Sequence, residues 1–160
     1  MISKKTQFPL VQRKKEIKNI QIKKSFDPNL VQLFIDPEQI RRVLINLFEN
    51  ATDAIDEGGT IQIYTKIIEE RNLIRIGFSD NGAGISSADR EKLFLPHFTT
   101  KKRGTGLGLA IVNRIIFDHN GTIKFQDNYP KGTSFIIDLP YSQTTLEVKN
   151  SITKTFLDMS

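Results

Sequence analysis

The sequence predicts a mixed α/β fold, a two-layer sandwich whose helices cover one face of a largely antiparallel sheet. Three observations lead there. One strongly amphipathic helix runs from about residue 36 towards Gly58-Gly59, and two alternating segments follow it with no helix between them. The strand and helix candidates also lack the regular alternation that a doubly wound dinucleotide fold requires. The chain has 160 residues, 38% of them hydrophobic, which supplies one substantial core rather than two catalytic domains.

The elements follow in order. Glu16 to Ser25 (EIKNIQIKKS) alternates as a half-exposed strand, and Asp27-Pro28-Asn29 supplies a turn before the apolar stretch Leu30 to Ile35. The expectation is a hairpin-like start. Asp36 is placed to cap a helix, Pro37 suits its first position, and Gln39 is placed to complete a capping box. Ile40, Val43, Leu44, Leu47, Ala51, Ala54 and Ile55 recur every three or four residues and form the buried stripe of that helix. Asn46, Asn50 and Asp53 share a different face, so one side packs while the other is left for chemistry.

Thr60 to Ile68 and Leu73 to Ser79 read as two strands around a polar Glu69-Glu70-Arg71-Asn72 connection. Ser86 and Asp89 fit a capping box for a short helix reaching Leu93, and a second helix is expected from about Leu109 to Asp118 with Gly121 as its stop. Thr122 to Phe125 and Ser134 to Leu139 complete the sheet across a turn at Pro130-Lys131-Gly132. This organisation divides the chain into a basic N-terminal segment with the first strand (1–26), a core (27–140) and a C-terminal extension (141–160). Leu146, Val148, Ile152, Phe156 and Leu157 give that extension the pattern of either a docking segment or a frayed end.

Composition narrows the function. There is no cysteine, which removes disulfides, thiol catalysis and thiolate metal sites. The net charge is +5, with Lys4, Lys5, Arg13, Lys14, Lys15, Lys18, Lys23 and Lys24 clustered near the start. Without zinc-finger spacing or interleaved aromatic and basic residues, this reads as a solvated face and not as a nucleic-acid module. No apolar run is long enough to cross a bilayer and no signal-peptide core is present, so the expectation is a soluble, cytoplasmic domain.

Three short motifs carry chemistry. In Asp80-Asn81-Gly82-Ala83-Gly84-Ile85 the carboxylate suits the exocyclic amine of adenine, and the two glycines let backbone approach a base and sugar. Asn50 offers an amide oxygen to a hard metal such as Mg²⁺, with Asn46 one turn earlier; Glu49 is another nearby oxygen donor but lies at a different angle. Lys101-Lys102-Arg103-Gly104-Thr105-Gly106-Leu107-Gly108-Leu109 places unobstructed amides, a Thr105 hydroxyl and three cations before a helix, where phosphate oxygens bind. It is neither a Walker loop nor a Rossmann fingerprint, and each motif alone is a weak signal.

Taken together and in order, NLFENATDAI (Asn46 to Ile55), DNGAGI (Asp80 to Ile85), LFLPHFTTK (Leu93 to Lys101) and GTGLGL (Gly104 to Leu109) resemble the nucleotide-binding boxes of the GHKL ATPase superfamily. More narrowly they resemble the catalytic ATP-binding domain of bacterial sensor histidine kinases, and FTTKKRGTGLGLAIV is similar to nitrogen-regulation-type members. The similarity covers about Asp27 to Pro140. It implies a Bergerat-type ATP-binding fold with ATP and Mg²⁺ as cofactors. Asn50 is then the principal metal ligand, Asn46 a second metal-side contact, and Asp53 a further residue of the site. Asp80 reads adenine in a pocket shaped by Gly82, Gly84 and Ile85 and supported by Thr133. Phe94 and Phe98 belong to an aromatic box under a movable lid. Thr99, Thr100, Lys101, Arg103, Gly104, Thr105, Gly106, Leu107, Gly108 and Leu109 enclose the phosphates. Asn46, Asn50, Lys101 and Thr105 are the residues implied in phosphoryl transfer.

The same resemblance implies transfer of the γ-phosphate to a histidine on a dimeric helical domain, and from there to a response regulator. The domain itself is then expected to be monomeric, cytoplasmic and part of a membrane-associated, homodimeric kinase. His97 and His119 lack the helical His-Glu setting of the family acceptor and read as structural or surface residues. The departure puts autophosphorylation by this chain alone in doubt. Alternatives are a stand-alone anti-sigma-factor-type serine/threonine kinase and a nucleotide-responsive interaction domain without kinase activity. A topoisomerase or mismatch-repair ATPase is disfavoured because its general-base glutamate is expected where this chain has Asn46.

Overall fold

The computed structural model describes residues 13, 14, 16, 18–102 and 104–142. They form a five-stranded sheet covered on one face by two helices. In chain order the elements are β1 (Gln21–Ser25), α1 (Pro37–Ala54), β2 (Thr60–Ile68), β3 (Leu73–Asp80), α2 (Gly108–Asp118), β4 (Thr122–Asp127) and β5 (Thr133–Pro140). The strand order is β1-β2-β3-β5-β4. Only the β1–β2 pair is parallel, and every other neighbour is antiparallel.

The core lies between sheet and helices because both surfaces present apolar residues at their own period. Ile61 and Ile63 of β2, Ile74, Ile76 and Phe78 of β3, and Phe135, Ile137 and Leu139 of β5 alternate onto the helical side. Ile40, Val43, Leu44, Leu47 and Ala51 of α1 meet them, with Val112, Ile115 and Ile116 of α2. Phe48, outside the expected stripe, widens it and packs edge-on to Phe78 with ring centroids 4.8 Å apart. On the opposite face Arg75 and Asp138 form a two-pronged ion pair, with Nε–Oδ1 at 2.7 Å and an Nη–Oδ2 bond at 2.8 Å.

Asp36 caps α1 as expected, its carboxylate accepting from the N–H groups of Glu38 and Gln39. The expected return bond from Gln39 is not the one formed: the Asp36 N–H donates to His119 Nε2 at 3.0 Å. His119 Nδ1 lies 2.7 Å from the Ile115 carbonyl oxygen, so the ring is held as the Nδ1–H tautomer and joins the start of α1 to the end of α2.

Three expectations are corrected. The first strand is shorter than Glu16 to Ser25, since Arg13, Lys14 and Glu16 are helical and the ladder begins at Gln21. The start is not a hairpin either. Asp27 bonds to Asn29 N–H at its own turn, and to Thr65 Oγ1 and Ile67 N–H on β2, so Leu30 to Ile35 crosses to α1 without pairing. Lastly, Ser86 to Leu93 contains a single 3₁₀ turn (Arg90–Lys92) and no α-helix, because the Ser86 hydroxyl donates to the Asp89 carboxylate and caps no backbone amide. At the end of α2 the left-handed residue is Asn120, and Gly121 instead provides the close approach: a Cβ there would lie 2.7 Å from the Asp138 carbonyl oxygen. Leu146, Val148, Ile152, Phe156 and Leu157 lie outside the described residues.

Candidate functional site

The site is organised along one face of α1. Asn46, Asn50 and Ala54 are spaced by four residues, one above another, over about 12 Å of helix. Each meets a different part of the chain.

Ala54, expected in the buried stripe, is only half-buried and holds the Asp80 turn instead. Its carbonyl accepts from Ala83 N–H at 2.9 Å, and a Cβ on Gly82 would come within 2.5 Å of the same oxygen, so only glycine fits. Asp80, at the end of β3, is 4% exposed. Its Oδ1 accepts from Gly82 N–H at 2.9 Å and Thr133 N–H at 3.4 Å. Burial pushes this carboxyl above the ordinary range, and the two backbone hydrogen bonds only partly oppose that. Gly84 has φ +79° and faces the Gly132 carbonyl, while Ile85 is half-buried beside it in sequence. Two residues here escaped the sequence reading. Asn128 Nδ2 donates to the Asp80 carbonyl at 2.7 Å, and Gly132, φ +112°, packs directly on that carbonyl. The β4–β5 turn was legible, but not which backbone group it would buttress.

One turn back, Asn50 Oδ1 accepts from the Lys101 ammonium at 2.9 Å. Its Nδ2 is buried with no hydrogen-bond partner. Asp53 receives Lys101 Nζ on Oδ2 at 2.7 Å and Lys14 Nζ on Oδ1 at 2.8 Å. Burial raises the Asp53 carboxyl, yet hydrogen bonds from Lys101 and Lys14 with their charges outweigh it and hold the group below the ordinary range. Lys18, read from sequence as part of a solvated face, donates to the carbonyls of Thr52 and Ile55 at 2.7 Å each, closing the C-terminal end of α1.

Two turns back, Asn46 Nδ2 donates to Arg42 O, and its Oδ1 faces the start of α2, where a Cβ on Gly108 would lie 2.8 Å away. Glu49 is half-exposed on a neighbouring face. The first-turn amides of α2 lack intrahelical partners and carry the positive end of its dipole. Thr105 Oγ1 accepts from Leu107 N–H at 3.3 Å, keeping its proton available to an acceptor.

The segment between these points, expected to be a lid, packs on an aromatic base. Phe94 packs on Phe125 and Phe125 on Phe135, with ring centroids 6.0 and 6.3 Å apart, and the Arg90 guanidinium covers Phe125. Phe98 is half-buried, whereas Thr99 and Thr100 are exposed. Gly106, φ +70°, lies against the His97–Phe98 peptide, where a Cβ would meet His97 C at 2.4 Å. Thr99 Oγ1 accepts from Lys101 N–H and fills the space a Gly104 side chain would need. Leu107 and Leu109 are half-buried at the start of α2, and Arg103 lies outside the described residues.

A divalent ion fits this donor set in one way. Among the described residues there is no group of three or more His, Cys, Asp or Glu side chains able to cage a metal. One or two amide oxygens on α1, completed by ligand oxygens and water, match the habit of Mg²⁺. The Lys101 ammonium on Asn50 Oδ1 shows that this oxygen already holds a cation.

Comparison with known proteins identifies the family. Residues 35–143 match the family model described as histidine kinase-, DNA gyrase B- and HSP90-like ATPase. The chain is 36% identical over 135 residues to the sensor histidine kinase ZraS of Escherichia coli K12, covering 84% of this chain and 29% of that protein. It is 37% identical to the sensory histidine kinase/phosphatase NtrB of Klebsiella oxytoca, covering 76% of this chain and 37% of the relative. The chain thus spans about a third of the length of these relatives. Among solved structures, the catalytic domain of histidine kinase ThkA superposes with a TM-score of 0.72 at 36% identity, over 83% of this chain and 86% of that one. Fold, motif order and sequence place this chain in the histidine kinase-, DNA gyrase B- and HSP90-like (GHKL) ATPase family, as a catalytic domain of the sensor histidine kinase type.

Proposed function

We propose that this chain is the ATP-binding catalytic domain of a two-component sensor kinase, and that it donates the γ-phosphate of ATP to a histidine on a separate dimerisation domain. The observation that carries this is the convergence of the Asp80 turn, the Lys101 lid and the start of α2 on the Ala54, Asn50 and Asn46 levels of one helix face.

In this reading the adenine amine donates to Asp80 Oδ2, since both backbone bonds end on Oδ1. Gly82, Gly84, Ile85 and Thr133 form the walls around the base. Thr105, Lys101, Arg103 and the amides from Gly104 to Leu109 face the phosphates, with Phe98, Thr99 and Thr100 carrying the lid over them. Asn50, assisted by Asn46, holds Mg²⁺, which when bound neutralises charge building on the phosphate oxygens. Phosphoryl transfer needs alignment more than covalent protein chemistry, and these groups supply it. Asn46 has no basic lone pair to activate water, which favours transfer to a protein acceptor over hydrolysis.

Neither His97 nor His119 serves as acceptor. His97 sits in the exposed lid turn with φ +64°, and both ring nitrogens of His119 are engaged between α1 and α2. The acceptor histidine therefore comes from another domain, and the phosphate passes on to a response regulator. One solved relative is ThkA in complex with a response regulator protein. No helix among the described residues is long and apolar enough to cross a membrane; we assign the chain to the cytoplasmic part of a membrane-associated kinase.

The test is incubation of the chain with ATP, Mg²⁺ and a purified helical acceptor domain. Acid-labile, base-stable label on the acceptor is the expected result. Acid-stable label on an anti-anti-sigma partner would favour the serine/threonine kinase reading, and binding without transfer to any acceptor would favour an interaction domain.

A further inference from the structure

Asp53 lies in the NLFENATDAI box and was expected as a further residue of the site, and its carboxylate joins two distant parts of the chain. One oxygen holds Lys101 of the lid, the other Lys14 of the segment upstream of β1. The same Lys101 ammonium also occupies Asn50 Oδ1. That upstream segment is seated on α1 at two further points, since Lys18 Nζ donates to Thr52 O and Ile55 O, and the Lys18 carbonyl accepts from Gly58 N–H.

We propose that Asp53 is a positioning residue that parks the lid lysine on the metal face of α1, and that Lys14 sets the strength of that hold by competing for the same carboxylate. The inference rests on the ATP reading above. A divalent ion at Asn50 and the Lys101 ammonium carry like charge and repel one another at hydrogen-bond range, so nucleotide binding with metal requires Lys101 to leave. Released, its flexible stem carries the ammonium to the phosphates. Asp53 then keeps Lys14 alone. By linkage, whatever pulls the upstream segment off α1 strengthens the hold on Lys101, and whatever draws Lys101 away strengthens the hold on Lys14. The upstream chain and the nucleotide pocket thereby sense one another through one carboxylate.

The test is a mutant cycle read by calorimetric titration with ATP, with and without Mg²⁺, beside tryptic cleavage after Lys101 and Lys102 without nucleotide. Asp53→Asn is expected to tighten Mg-ATP about two- to fivefold, the scale of one partly exposed ion pair, and to speed cleavage of the lid. Lys14→Ala is expected to weaken Mg-ATP by a similar factor, and that loss should vanish in the Asp53→Asn background. Asp53→Glu should restore wild-type behaviour. Weaker Mg-ATP binding by Asp53→Asn, or equal effects of Lys14→Ala in both backgrounds, would overturn the proposal. If the wild type itself binds no nucleotide, the ATP reading fails; the cleavage arm then decides the latch, upheld by faster cutting in Asp53→Asn and overturned by unchanged cutting.

Discussion

Asp80 concentrates the chemistry of the site into one side chain. As a buried carboxyl with a raised pKa it stabilises the fold when protonated, and that contribution is lost as pH rises through its folded value. Above that value the ionised group costs stability. Asp80→Asn keeps an oxygen for Gly82 and Thr133 but turns an amide donor towards the adenine amine. The expected outcome is an unchanged or higher melting temperature with ATP affinity reduced about tenfold or more, from a mismatched buried donor. Thermal unfolding and titration of the same sample check both halves. Asp80 was legible because DNGAGI falls in order between the asparagine-bearing helix and the GTGLG loop, although alone it reads only as a turn. Asn128, Gly132, Lys14 and Lys18 were not, because their partners are backbone carbonyls or a distant carboxylate, and no local spacing encodes those.

At the scale of elements, legibility followed the strength of the local signal. The start of α1 and the extents of β2 and β3 came out of capping and periodicity, whereas α1 stops at Ala54, short of the expected Gly58-Gly59, because Ile55 turns to extended backbone. The hairpin failed at Asp27, whose carboxylate found β2 and so turned an apolar stretch into a crossover. The short helix failed at Ser86, where two side chains satisfied each other. The His119–Asp36 bond was invisible because it spans 83 residues. Asp36→Ala removes the carboxylate oxygen that accepts from two amide N–H groups at the end of α1 away from the Ala54 turn. It is expected to cost about 1 kcal/mol of stability with ATP affinity unchanged. Denaturant unfolding and titration test that separation; a parallel loss of affinity would mean the two ends of α1 are coupled. Gly106→Ala, by contrast, sets a methyl against the His97–Phe98 peptide at a left-handed φ. It should weaken ATP at least severalfold while leaving the melting temperature within a few degrees, because the strain falls on the exposed lid.

Over the whole molecule, the sheet separates stability from binding. The Arg75–Asp138 pair lies on the face away from the helices and ties β3 to β5. Hydrogen bonding to Arg75 holds the Asp138 carboxyl below its ordinary value of 3.8. Its stabilisation is present above that value and lost as pH falls through the lower, folded one. Asp138→Asn is expected to cost about 1.5–3 kcal/mol at neutral pH and to flatten the acid limb of the stability profile, measured by denaturant unfolding between pH 2 and 7. The layered fold itself was legible from the sequence; the ion pairs of Asp53 with Lys101 and Lys14 emerged only from the structure.

In the proposed function one helix face gathers adenine, metal and phosphate determinants around a single nucleotide. Calorimetric titration of ATP into the wild type and Asn50→Ala, each with Mg²⁺ and with EDTA, tests it most directly. Saturable binding by the wild type, strengthened by Mg²⁺, is expected, together with a variant whose affinity for Mg-ATP falls much further than its affinity for metal-free ATP. No heat of binding by folded wild type at millimolar ATP, or an Asn50→Ala loss that is the same with and without Mg²⁺, would contradict it.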